Sequence, residues 1–288
     1  MIPGIAGDPL VYLDGVYTPL SQAKVSVLDR GFIFGDGVYE VVPAYGRKPF
    51  RMDEHLARLR RSLGKLRIAP PMDDAAWRAL VAELIQACAT PECLVYIQVT
   101  RGVALRDHAF PSPAVAPTVF AMATPFTRPD ARAREQGLSV ICIPDERWLH
   151  CDIKSVSLLG NVLAKQQAVD AGADEVIQLR DGHVTEGASS NIWVVSGGRL
   201  LAPPRDHLIL EGIRYGLIAE LAAQAGIPFD SRPIARDELA GAQEILLSSA
   251  TREILPVVRM DGAPVGNGAP GPVYARLRAG YDARIAAL

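Results

Sequence analysis

The stretch EVIQLRDGHVTEGASSNIWVVSGGRLLAP, residues 175–203, holds four β-rich runs and no helical periodicity. Asp181-Gly182 and Ser196-Gly197-Gly198 interrupt those runs, and such pairs supply the positive φ that tight hairpin turns require. Consecutive strands therefore fold back antiparallel. A doubly wound parallel sheet would need a long crossover between each pair of strands. The stretch instead predicts a mixed α/β or α+β chain.

Outward from it the elements keep mixing. LSVICI (138–143) reads as a strand, and GNVLAKQQAVDAG (160–172) as a helix closed by Gly172. Downstream, a helix over about 212–225 stops at Gly226, EILLSS (244–249) is a strand, and PVYARLRAGYDARIAAL (272–288) is helical. At the other end, LVYLDGVY (10–17) is two short strands about Asp14-Gly15. Asp53 is placed to cap a helix whose Leu56, Leu59, Leu63 and Leu66 recur at intervals of three and four, and Trp77, Leu80, Val81, Leu84, Ile85 and Cys88 form the stripe of a second. LVYIQVT (94–100) and TVFAMA (118–123) are strands, and TPFTRPDAR (124–132) has the prolines and polar residues of a linker. The expected organisation is an N-terminal α/β domain over 1–123, the linker 124–132 and a C-terminal domain over 133–288.

The 288 residues are 49% hydrophobic and 22% charged, which excludes disorder. A net charge of −2 gives no long-range attraction to polyphosphate, so nucleic acid is not an expected partner. No basic n-region opens the chain and no long apolar run occurs, so a cytoplasmic protein with no membrane partner is expected. Cys88, Cys93, Cys142 and Cys151 lack metal spacing and read as reduced structural thiols, with no metal site. Lysine is scarce: only residues 24, 48, 65, 154 and 165 among thirty basic residues.

Lys154 stands out because CDIKSVSLLG (151–160) is extended and mostly apolar, with Lys154 and Val156 on one face. A desolvated amine is a better nucleophile for forming a Schiff base; a paired or snorkelling structural lysine is the plainer reading. Lys165 falls on the polar part of a helix and reads as a surface residue. In VTEGASSNIW (184–193), Glu186 sits in a turn beside small residues, either as a solvated carboxylate or as one able to hold a heterocycle's ring nitrogen protonated. LILEGIRYG (208–216) and LLSSATRE (246–253) are possible anion cradles, although helix caps explain them equally. Arg58, on the polar side of the first helix, and Arg106 and His108, which an extended loop projects to one side, are candidate cations for a small carboxylate or phosphate. The glycines of DRGFIFGDGVYEVV (29–42) match a dinucleotide fingerprint only loosely.

Taken together and in order, DRGFIFGDGVYEVV, DEHLARL, YIQVTRG, LRDHAFP, ERWLHCDIKSVSLLGNVLAKQQA, VTEGASSNIW, LILEGIR and SSATREILPV resemble the class IV (fold type IV) pyridoxal-phosphate aminotransferases over nearly the whole chain. The resemblance implies a small N-terminal α/β domain, a larger C-terminal pseudo-barrel that binds the cofactor, and pyridoxal 5′-phosphate held on Lys154. Glu186 is implied to pair with the pyridine nitrogen, and Leu210 to pack against the ring. Arg58, the N–H groups of Ile213 and Arg214, the Ser249 hydroxyl and the Ala250 N–H are implied to hold the phosphate.

LRDHAFP points to the family's D-amino acid branch. That branch implies an α-carboxylate trap of Tyr39, Arg106 and His108, a homodimer whose Arg106/His108 loop serves the partner's site, and D-amino acids and 2-oxo acids as substrates. D-Alanine with 2-oxoglutarate would give pyruvate and D-glutamate. Branched-chain L-amino acid and (R)-amine transaminases share the fold and are the alternatives; a non-catalytic binding module would not account for the lysine, glutamate and arginine together. The chain departs from the family pattern at Arg214, at Ala250 where a second hydroxyl is usual, and at His150 where arginine is frequent.

Overall fold

The computed structural model describes residue 5 and residues 7–288. Residues 1–4 and 6, within the opening segment read for a leader, lie outside the described residues. The chain forms two compact units: Met1–Thr127 with Ile153–Ser157 and Leu288, and Arg128–Asp152 with Leu158–Ala287.

The first unit contains β1 (Leu10–Leu13), β2 (Val16–Pro19), α1 (Arg30–Phe34), β3 (Gly37–Tyr45), β4 (Lys48–Pro49), α2 (Met52–Leu66), α3 (Asp74–Ala87), β5 (Cys93–Thr100) and β6 (Thr118–Pro125). Its six strands run in the order β2-β1-β6-β5-β3-β4, every neighbouring pair antiparallel. The period-two alternation buries Val38 and Val42 of β3 with Val95, Ile97 and Val99 of β5, in one core with Leu56, Leu59, Leu63, Trp77, Leu80 and Leu84 of α2 and α3. On the other face Tyr39 opposes Gln98 and Val41 opposes Tyr96, all half-buried. Asp53 does not cap α2: the cap is Arg51, at φ 59°, and Asp53 lies in the first turn, where a carboxylate still favours the helix dipole. The strand β6 runs to Pro125, into the stretch expected to link the domains, and Phe126 N–H still donates to the Glu92 carbonyl at 3.0 Å.

The second unit contains α4 (Ala131–Glu135), β7 (Leu138–Pro144), α5 (Leu159–Asp170), β8 (Glu175–Arg180), β9 (His183–Val184), β10 (Asn191–Ser196), β11 (Arg199–Ala202), α6 (Ile213–Gln224), β12 (Phe229–Ser231), α7 (Arg236–Ala240), β13 (Glu244–Ser249), β14 (Glu253–Met260), β15 (Ala263–Pro264) and α8 (Pro272–Ala286). Eight strands follow the order β12-β11-β10-β13-β14-β7-β8-β9, with β15 on β14. The pairs β7–β8, β7–β14 and β11–β12 are parallel and the rest antiparallel; the two hairpins read from residues 175–203, now β8–β9 and β10–β11, are among the antiparallel pairs. The β8–β9 hairpin turns at Asp181 (φ 50°) and Gly182 (φ 76°), as its Asp-Gly pair requires. Ile177, Ile192, Val194, Ile245, Leu247 and Leu255 form the core with Ile234 and Leu239. Helix α5 buries only Ala164 and Ala168, leaving Leu159, Val162 and Leu163 exposed. No described helix is long and apolar enough to cross a membrane.

Candidate active site

In the first unit, residues 154–156 add a short antiparallel stretch to the start of β3. Tyr39 N–H donates to the Lys154 carbonyl at 3.0 Å, Val156 N–H donates to the Gly37 carbonyl at 3.0 Å, and Ser155 bridges Val38. The Lys154 N–H donates to Ser62 Oγ of α2 at 3.2 Å. The backbone of the lysine is thus anchored on both sides. Its side chain is half-buried rather than sealed in an apolar setting, and its Nζ stands 3.9 Å from the centroid of the Tyr39 ring, a cation–π contact. Tyr39 lies against Tyr96 at 5.8 Å between centroids, and burial, with the neighbouring Tyr39, pushes the Tyr96 phenol up to about 12. Lys165, by contrast, is half-buried on α5 and donates to the Asp174 carbonyl at 2.5 Å.

Arg58 corrects one expectation. It is not on the solvated side of α2 but buried, because Glu40 points from the helix-facing side of β3 and receives it. The two form a fork, Nε to Oε1 at 2.7 Å and Nη2 to Oε2 at 2.8 Å, and His55 Nδ1 adds a contact to Oε2 at 2.7 Å. Burial alone would raise the Glu40 carboxyl, but the Arg58 guanidinium and His55 outweigh it and hold the group well below the ordinary carboxylate range. Neither Glu40 nor His55 had been singled out in the sequence. A carboxylate on the buried phase of a strand was the available signal.

Arg106 and His108 lie exposed in the loop after β5, and the i, i+2 spacing does bring both to one feature. The Arg106 Cζ is 5.4 Å from the Phe34 ring centroid, and the His108 ring is 5.4 Å from it, tilted by 42°.

In the second unit Glu186 is buried at 6% exposure rather than solvated. Its carboxylate accepts from Leu210 N–H at 3.0 Å and Asn191 Nδ2 at 3.4 Å, and it pairs with Arg147 Nη1. Arg147 in turn is clamped by Asp145, Nε to Oδ1 at 2.9 Å and Nη2 to Oδ2 at 2.8 Å, while Arg180 reaches Asp145 at 3.1 Å. Burial pushes the Glu186 carboxyl up, and Arg147 opposes that without cancelling it. A further cation at Glu186 would complete the compensation, so the environment fits a protonated ring nitrogen. Asp145 and Arg147 were missed in the sequence, although they flank Glu146 immediately before WLHCDIK.

Gly212 opens α6 with no side-chain cap, which leaves the Ile213 and Arg214 end of the helix suited to an anion. A Cβ on Gly212 would overlap Asn191 Oδ1. The Arg214 guanidinium is turned away into the interior, its Nε donating to the Tyr281 hydroxyl at 3.1 Å, so arginine at this position leaves the backbone donors as they are. Leu210, Ser249 and Ala250 are all half-buried. Ser249 Oγ accepts from Arg252 N–H at 3.0 Å and lies 3.4 Å from the Thr251 hydroxyl, which stands one position beyond the one lost at Ala250. His150 is exposed, with its ring edge-on to Trp148 at 5.3 Å.

Residues 37–260 match the family Amino-transferase class IV, and the chain belongs to that family. A D-alanine aminotransferase of Staphylococcus haemolyticus is 40% identical over 275 residues, spanning 96% of this chain and 97% of the relative. One of Bacillus licheniformis is 39% identical over 263 residues, 91% and 92% of the two chains. Among solved structures, a branched-chain amino acid aminotransferase of Escherichia coli superposes with a TM-score of 0.89 at 26% identity, covering 94% of this chain and 93% of the other. That of T.th., solved with pyridoxamine 5′-phosphate, superposes at 0.87 and 28% identity, covering 96% and 93%.

Proposed function

We propose that this class IV aminotransferase uses pyridoxal 5′-phosphate to transfer the amino group of D-amino acids to 2-oxo acids, with D-alanine and 2-oxoglutarate as a matching pair. The observation that carries the reading is the Arg106–His108 pair set against Phe34 with both side chains exposed, a geometry suited to a small carboxylate. The near-complete match to D-alanine aminotransferases at 40% identity supports it. The branched-chain reading has the shape similarity on its side, but at 26–28% identity.

When bound, the cofactor supplies a carbonyl carbon that condenses with amines and a cationic ring that takes up electron density from the substrate's α-carbon. Lys154 Nζ is the amine that would hold the cofactor covalently and that, once free, would carry the proton between the substrate Cα and the cofactor C4′. Glu186, fixed by Arg147 and Leu210 N–H, keeps the ring nitrogen protonated. Arg58, the Ile213 and Arg214 N–H groups, Ser249 Oγ and the Ala250 N–H hold the phosphate, and Leu210 supplies an apolar contact to the ring. Tyr39, Arg106 and His108 bind the α-carboxylate.

The proposal includes a homodimer whose Arg106–His108 loop serves the partner's site. Leu159, Val162 and Leu163, exposed at 71%, 59% and 58%, form an i, i+3, i+4 strip on α5 that a second copy would cover. Four free cysteines, three of them buried, suit a reducing, cytoplasmic setting.

The test is a half-reaction without acceptor, following the absorbance of the lysine-bound cofactor on adding D-alanine, L-alanine or L-leucine. Rapid loss with D-alanine alone is expected. Faster loss with L-leucine would transfer the assignment to the branched-chain reading.

A further inference from the structure

We propose that Arg30 is a positioning residue that holds Arg106 and His108 ready for the substrate carboxylate; the inference rests on reading those two as carboxylate ligands. Arg30 is 3% exposed, an expensive place for a guanidinium unless its donors are used. One is used on Asp36, just before β3, and another on the loop. Its Nε pairs with Asp36 at 2.8 Å, and its Nη1 donates to the Asp107 carbonyl at 2.6 Å. Asp107 is the middle residue of Arg106-Asp107-His108, so this bond fixes the peptide segment from which both flanking side chains project. The Arg30 Cζ also lies 4.8 Å from the Phe34 ring centroid, the same ring that Arg106 and His108 contact.

The rest of the loop is tied down at its two ends. At the near end Arg30 N–H donates to the Gly102 carbonyl at 2.9 Å and Asp29 bridges Val103. At the far end the Phe110 ring contacts two guanidiniums, Arg101 at 3.7 Å and Arg67 at 4.7 Å from its centroid. Arg101 forks onto Asp36 at 2.7 and 2.9 Å, so one carboxylate orients both Arg30 and Arg101. An exposed loop of this length would otherwise sample many conformers. Binding would then carry the entropic cost of ordering it, and a preorganised loop avoids that cost.

Arg30→Gln shortens the reach to Asp107 and leaves the Asp36–Arg101 fork in place. The expected result is a rise in KM for D-alanine of about tenfold or more, the range for a hydrogen bond to a charged group, with kcat and cofactor absorbance retained. Phe34→Leu, which leaves the ion pairs intact, should raise KM in the same direction. In an Arg106→Ala background Arg30→Gln should add less than about twofold, since the two act through one contact. An undiminished effect in that background, or a fall in kcat with KM unchanged, would overturn the proposal. Amide hydrogen exchange across residues 103–110 separates it from the carboxylate reading. Faster exchange in Arg30→Gln supports positioning and unchanged exchange overturns it, whereas an Arg106→Ala variant with wild-type KM would sink the carboxylate reading on which the proposal rests.

Discussion

Glu186 shows how one side chain is adapted by its surroundings. A buried carboxylate carries a desolvation cost, and here Arg147 offsets part of it while Asp145 and Arg180 keep the guanidinium from turning away. Glu186→Gln preserves shape and removes the charge. The D-alanine half-reaction should slow by about 10²–10³-fold, the range for losing one electrostatic stabiliser, while the cofactor stays attached to Lys154; stopped-flow absorbance reads both. The raised carboxyl has a further consequence for the cofactor-free protein. A Glu whose folded pKa lies above its unfolded value adds stability that is present below the unfolded value and lost as pH rises through the folded one. The variant lacks that loss. Its denaturation midpoint, relative to the parent, should therefore improve as pH rises.

At the scale of elements, the helix α6 is useful for where it begins. Gly212 lets Asn191 lie close to the first turn, and Asn191 also donates to the Leu210 carbonyl at 2.8 Å. An added Cβ must push that amide aside. Gly212→Ala should therefore weaken cofactor binding by about tenfold to a hundredfold, in line with the cost of small misplacements, with the circular dichroism spectrum unchanged. Fluorescence titration of the cofactor-free protein measures it. Helix α5 makes the complementary case, since its exposed strip serves nothing within its own unit. Leu163→Glu should shift sedimentation from dimer to monomer and reduce activity in parallel; a fully active monomer would refute the proposed dimer.

For the whole molecule, the acid limb of stability follows from carboxylates held low. Burial acts to raise Glu40, Asp145 and Glu253, but their arginine partners outweigh it in each case. Each therefore binds its proton more readily in the unfolded chain. The stability they contribute is fully present above the unfolded value of about 4 and is lost as pH falls towards each folded value. Urea denaturation between pH 7 and 3 should show a falling midpoint below about pH 5. Glu40→Gln should be less stable at pH 7, by about 3–5 kcal/mol because Arg58 loses its buried partner, and should show a shallower acid slope.

Much of this protein was legible from local sequence. Asp181-Gly182 demands positive φ and turns a hairpin whatever surrounds it, and the leucine stripe of α2 matches the helical period, so both follow from backbone sterics and hydrophobic burial acting over a few residues. Lys154 stood out as a charged group in an apolar run, whereas Glu186 and the Arg106–His108 pair read equally as a solvated turn carboxylate and loop cations until the resemblance to the class IV family joined them. Tertiary structure decided the rest. That Arg58 is buried depends on Glu40 eighteen residues away, and that Glu186 has a cation depends on Arg147 thirty-nine residues away. The grouping of 153–157 with the first unit depends on bonds to β3 and α2. Burial and charge pairing are properties of the packed chain, set by which strand phase faces which helix, and a single segment carries no record of its distant partner.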